Sequence, residues 1–105
     1  MGRYSRKMYD AVAKADMSML GVQLGAACVD AQVPVQVVAR WMGVTRQGVY
    51  YWFTGVTDIA DDKQDKAEQI IQVLTKALDE GKLPAASLDD TLAVVKQYRG
   101  NHASS

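Results

Sequence analysis

Along the 105 residues, apolar positions recur at spacings of three and four rather than two. That is the helical period, so the chain is expected to be all-α. The punctuation is sparse and falls at Pro34, Gly43, Gly55, the run Gly81-Lys82-Leu83-Pro84, and Gly100. Between those marks the pattern predicts five helices and no sheet. The first spans about Ser5 to Ala15, with Met8, Val12 and Ala15 on one side, and is able to run on into the next. The second spans about Ser18 to Ala31, with Leu20, Leu24, Ala27 and Cys28 inward. Gly21 and Gly25, four residues apart, each cost about 1 kcal/mol against alanine in a helix interior. That cost points to a close backbone approach at this face, either inside the chain or across a dimer seam.

Past Gly55, the polar stretch Thr57-Asp58-Ile59-Ala60-Asp61-Asp62 leads into a long amphipathic helix, about Asp62 to Asp79. Its inward stripe is Ala67, Ile70, Ile71, Leu74, Ala77 and Leu78, and acids at its start suit the positive helix end. Gly81 stops it and Pro84 prevents resumption. Ser87-Leu88-Asp89-Asp90 reads as an N-cap with an acid three residues on. It opens a last helix to about Arg99 that buries Leu88, Leu92 and Val95, before a frayed polar tail. Together with Ile70, Ile71, Val73, Leu74, Leu78, Leu83, Val94 and Tyr98, these apolar residues exceed what one thin layer requires. Either one face is left over for a second copy, which is the expectation, or both faces pack inside a monomer.

The segment from Val35 to Gly55 carries the most information. Two short helices joined by a tight turn need particular residues at particular places. Ala39 is small enough for the second helix to approach the first. Gly43 supplies the positive φ of a left-handed cap. Thr45 is placed to cap the second helix, and Val38, Met42, Val44, Val49 and Trp52 supply a shared core. These residues, with Pro34 before them and Gly55 after, resemble the helix-turn-helix of phage Cro and repressor proteins, the lambda-repressor-like domains. The resemblance covers Ser18 to Gly55 residue by residue and extends beyond only as two further helices.

What the resemblance implies is a domain whose second motif helix enters the DNA major groove. By position its base-reading side chains are Arg46, Gln47 and Tyr51, flanked by Thr45, Gly48, Tyr50 and Thr54. The residue types suit base reading, since arginine pairs with guanine, glutamine with adenine, and tyrosine contacts a thymine methyl or a phosphate. Each also has an ordinary reading as solvated surface. Tyr50 and Tyr51, being adjacent, cannot both face inward, so at least one exposed aromatic is expected. Three features depart from the family pattern. The family's charged pair is replaced by Cys28 and Phe53, which makes Cys28 a core residue. Pro34 and Val35 stand where a phosphate-binding polar residue is usual, leaving Gln36 as substitute. The loop after Gly55 is acidic.

Charge adds little. The net charge is zero, but residues 1–60 hold six basic groups against four acidic ones and residues 61–105 six against eight. Arg3, Arg6, Lys7 and Lys14, interleaved with Tyr4 and Tyr9, form either a basic arm for the DNA backbone or minor groove or an ordinary solvated terminus. One cysteine, Cys28, and one histidine, His102, give no raw material for a disulfide framework, a metal site or histidine catalysis. No apolar run approaches the roughly 20 residues that cross a bilayer.

The expectation is therefore one domain: a basic N-terminal arm or helix over 1–17, a helix-turn-helix core over 18–55, and C-terminal helices over 62–99 for dimerisation. Its expected role is a cytoplasmic, non-enzymatic phage-type transcriptional repressor, binding double-stranded DNA as a homodimer without membrane, cofactor, metal or small-molecule ligand. Two other classes fit the same residues: a module binding a host protein through Tyr50 and Tyr51, and the antitoxin of a toxin–antitoxin pair.

Overall fold

The computed structural model describes residues 4–103, with side chains as far as Gly100. Among the described residues there are six helices and no strand: α1 Arg6–Lys14, α2 Leu20–Ala31, α3 Val35–Met42, α4 Arg46–Thr54, α5 Asp61–Asp79 and α6 Leu88–Ala103. The expected count of five is corrected at residues 15–19, where the first two helices separate. Ala15 and Met19 take extended backbone, and the Asp16 carboxylate accepts a hydrogen bond from the Ser18 amide at 2.9 Å. An aspartate that captures an amide two residues on builds a turn in competition with the helix ladder. The same bond holds the Asp16 carboxyl below its ordinary range.

α2 lies at the centre, packed on α1, α4 and α5. A helix covered on several sides is apolar nearly all round, and its Val22, Leu24, Cys28 and Ala31 are fully buried. Gly21 and Gly25 face α4. A methyl group on Gly21 would stand 2.8 Å from Trp52 Cβ, and one on Gly25 2.8 Å from Phe53 Cγ. The close approach signalled by the two glycines is thus inside the chain and not a dimer seam. Cys28 and Phe53 are both fully buried, and burial pushes the Cys28 thiol pKa up.

The start of α2 is held by a distant residue and its end by the residue that follows it. Met19 offers no side-chain cap. Instead Asp58 reaches back from the loop after α4 and accepts from the Gly21 amide at 2.9 Å and its own neighbour's, Ile59, at 2.8 Å. At the other end Gln32 takes the left-handed conformation, φ 60°, and its side-chain amide donates to the Val29 carbonyl at 2.8 Å and to the Tyr9 hydroxyl.

α5 buries Ala67, Ile70, Val73, Leu74 and Ala77, with Ile71 and Leu78 at the edges of the stripe. In α6, Ser87 caps the Asp90 amide at 3.1 Å. Val95 is buried as expected, but Leu88 and Leu92 are only half-buried. The innermost place goes to Thr91, whose hydroxyl donates to the Ser87 carbonyl at 2.9 Å and so enters the core without an orphaned polar atom. Nor does α6 stop at Arg99: a methyl group on Gly100 would meet nothing within 4 Å and the helix runs on to Ala103. Much of the apolar surplus of the C-terminal half is absorbed between α5 and α2, where Ile70, Val73 and Leu74 are buried.

Candidate nucleic-acid interface

The path from α3 to α4 follows from its residues. Gly43 adopts φ 68°, ψ 37°, its amide bonding to the Ala39 and Arg40 carbonyls, and the Val44 amide returns to Ala39 at 3.0 Å. This left-handed cap satisfies the last carbonyls of α3 and turns the chain. Thr45 then takes extended backbone, and its hydroxyl oxygen accepts from the Gly48 amide at 3.1 Å, opening α4. Val38, Ala39, Met42, Val49 and Trp52 are buried between the helices, while Val44 is half-buried at the turn. Gly55, φ 81°, closes α4 with the Val56 amide on the Tyr51 carbonyl at 2.9 Å.

With Val49, Trp52 and Phe53 inward, the opposite side of α4 is open. Thr45, Arg46, Gln47, Tyr50 and Tyr51 are all exposed, the two tyrosines by 44 % and 41 %. Gln47 and Tyr51, one turn apart, are joined by a hydrogen bond in which the glutamine amide donates to the phenol at 2.8 Å. They therefore form one outward surface, and a bidentate glutamine–adenine pair would have to redirect that amide. Thr54 is half-buried, and its hydroxyl donates to the Tyr50 carbonyl at 2.7 Å, within its own helix. Gly48 has only the Thr45 hydroxyl near the position of a side chain, at 3.4 Å. Internal packing therefore does not demand a glycine there.

Arg46, Tyr50 and Thr54 form the flank of α4 that faces α1. Between them lies a groove of roughly 480 Å³, lined on the α1 side by Lys7, Met8 and Ala11 and closed by Pro34, Val35 and Gln36 at the start of α3. Lys7 and Arg46 give this lining two cations and no acid among the described residues. Gln36 is exposed in the first turn of α3, whose leading amides lack intrahelical partners. The groove was not expected from the sequence. Its only signal is Tyr4, Lys7, Met8 and Ala11 at helical spacing.

The N-terminal segment is accordingly fixed from Tyr4 onward. Tyr4 is buried, its hydroxyl donating to the Val33 carbonyl and its ring meeting Tyr9 edge-on with centroids 6.3 Å apart. Burial pushes the Tyr4 phenol pKa up. Ser5 caps α1 through the Met8 amide at 3.2 Å. Arg6 and Lys7 are thus exposed on a docked helix, and Lys7 alone of the two lines the groove. Arg3 lies outside the described residues.

Among the described residues, no group of three or more histidine, cysteine or acidic side chains is placed to hold a metal ion, and no helix is long and apolar enough to cross a membrane. Comparison of the chain with protein-family models, curated proteins and solved structures found no match.

Proposed function

We propose that this chain is a lambda-repressor-like, sequence-specific double-stranded DNA-binding protein, a small phage-type transcriptional repressor acting as a dimer on an operator. The observation that carries the reading is the open outer face of α4. Behind a capped start and a tight turn, Arg46, Gln47, Tyr50 and Tyr51 are all exposed, Gln47 and Tyr51 on the outer face and Arg46 and Tyr50 on the rim of the groove toward α1. A major groove about 12 Å wide admits a helix presented this way. Arg46, Gln47 and Tyr51 read bases. Lys7, Gln36, Thr45 and Tyr50 hold the flanking backbone, with the groove between α1 and α4 receiving one strand's phosphates. Thr54 serves its own helix, and repression is steric, by occupation of the operator.

With so few cations near α4, phosphate neutralisation by one copy is small, and two copies on a two-fold site make up the affinity. The test is duplex binding by fluorescence anisotropy across a salt series. Affinity should fall as salt rises, with the modest slope that a few phosphate contacts per copy give, and Lys7→Ala should weaken binding to all sequences alike and flatten that slope further. Binding that ignores salt and sequence would refute the reading.

The two exposed tyrosines favour one rival, a protein partner held on the same face. In that case Tyr50→Ala and Tyr51→Ala would abolish capture of a partner protein while duplex DNA failed to compete.

A further inference from the structure

α6 packs on α5, and away from that contact Asp89, Ala93, Lys96, Arg99 and Gly100 are exposed. Beside it, between α3 and α6, lies a second groove of roughly 530 Å³ lined by Trp41, Leu92, Val95, Lys96, Arg99 and Gly100. The Arg99 guanidinium sits 5.9 Å from the centre of the Trp41 ring, so that cation covers the aromatic at one end of the groove. Helical spacing puts Asp89, Leu92, Lys96 and Arg99 along one side of α6. Asp89, Lys96 and Arg99 are exposed and Leu92 is half-buried. From the helix start the stripe therefore runs acid, apolar, base.

A stripe of that order is complementary to itself when turned end for end. We infer that a second copy of this chain lays its α6 antiparallel along this one, over the groove, with Asp89 of each copy facing Lys96 and Arg99 of the other. A two-fold axis near the middle of the helix generates both sets of ion pairs at once, as a self-complementary contact requires. Antiparallel helices also bring opposite dipole ends together, whereas a parallel pair would set acid on acid and base on base. The half-exposed Leu92 of each copy is covered against the partner's Lys96 stem. Ala93 and Gly100 keep the contact close. A uniformly acidic or basic partner would oppose one end of the stripe. This inference gives the dimer proposed above its surface, and that reading's DNA contacts are not needed for it.

The experiment is sedimentation equilibrium of the full chain over a concentration series without DNA, so that its outcome is separate from that of DNA binding. The wild type should be a dimer that dissociates on dilution. Asp89→Lys should weaken it by about tenfold or more, since like charges then meet twice. Adding Lys96→Asp to Asp89→Lys should restore much of the loss. Should Asp89→Lys lose its helical circular dichroism, Lys96→Glu puts the same question from the other side of the contact. A monomer at every concentration, or a dimer that neither charge reversal weakens, or a loss that the paired reversal leaves unrepaired, would overturn the proposal.

Discussion

At Gly25 a methyl group would press on Phe53 at 2.8 Å, with the backbone Cα of Phe53 at 3.0 Å, while at Gly48 it would meet only a hydroxyl at 3.4 Å. Both positions are helical, and alanine is favoured over glycine there by about 1 kcal/mol before packing is considered. The two substitutions should therefore move stability in opposite directions. Gly25→Ala is expected to destabilise by about 1–3 kcal/mol through overpacking against α4, and Gly48→Ala to stabilise by up to about 1 kcal/mol. Urea denaturation of both variants checks this. If Gly48→Ala gains stability yet loses DNA affinity, its glycine serves close approach to DNA and not the fold. The spacing of Gly21 and Gly25 signalled a close approach in the sequence itself. Its partner was hidden, because Trp52 and Phe53 come from a segment far along the chain and either an internal or an external neighbour satisfies the same spacing. Thr91 was hidden for a different reason: a threonine scores as polar until its hydroxyl finds the carbonyl one turn back.

Helix ends divide into those capped locally and those capped from afar. Thr45, Ser5 and Ser87 each bond an amide three residues on, and such caps are visible in a short window of sequence. The start of α2 is instead capped by Asp58. Nothing in the window around Met19 signals that, and the acids after Gly55 look from the sequence like poor ligands for DNA. Asp58→Ala should cost about 0.5–2 kcal/mol, the usual worth of an N-cap, and lower the melting temperature by several degrees in a domain this size. Thr45→Ala should cost a similar amount, and it should also reduce DNA affinity because α4 loses its anchored start. The break between α1 and α2 belongs to this scale too. Periodicity carries through residues 15–19, and only the Asp16 turn decides that the helix stops.

Across the whole molecule, α2 packs on both α4 and α5, so the exposed face of α4 depends on burial behind it. Two acids in that interior, Cys28 and Tyr4, have pKa values raised by burial from ordinary values of 9.0 and 10.0. The folded state keeps both protons after the unfolded chain has lost them. Their contribution is then complete below about pH 8 and declines as pH rises through and past the two ordinary values. The urea midpoint should fall between pH 8 and about 11, less steeply in Tyr4→Phe, which removes one of the two groups. The folded body measures 34 × 33 × 22 Å, close to one turn of B-DNA along its long axes.

The most direct test of the account is selection of bound fragments from a pool of random duplexes, using the wild type and Arg46→Ala in parallel. The account predicts a common two-fold motif for the wild type, with half-sites about one helical turn apart, and loss of preference at a position within each half-site for the variant. A wild-type pool that stays random at low salt would contradict it, as would a motif that Arg46→Ala, Gln47→Ala and Tyr51→Ala all leave unchanged.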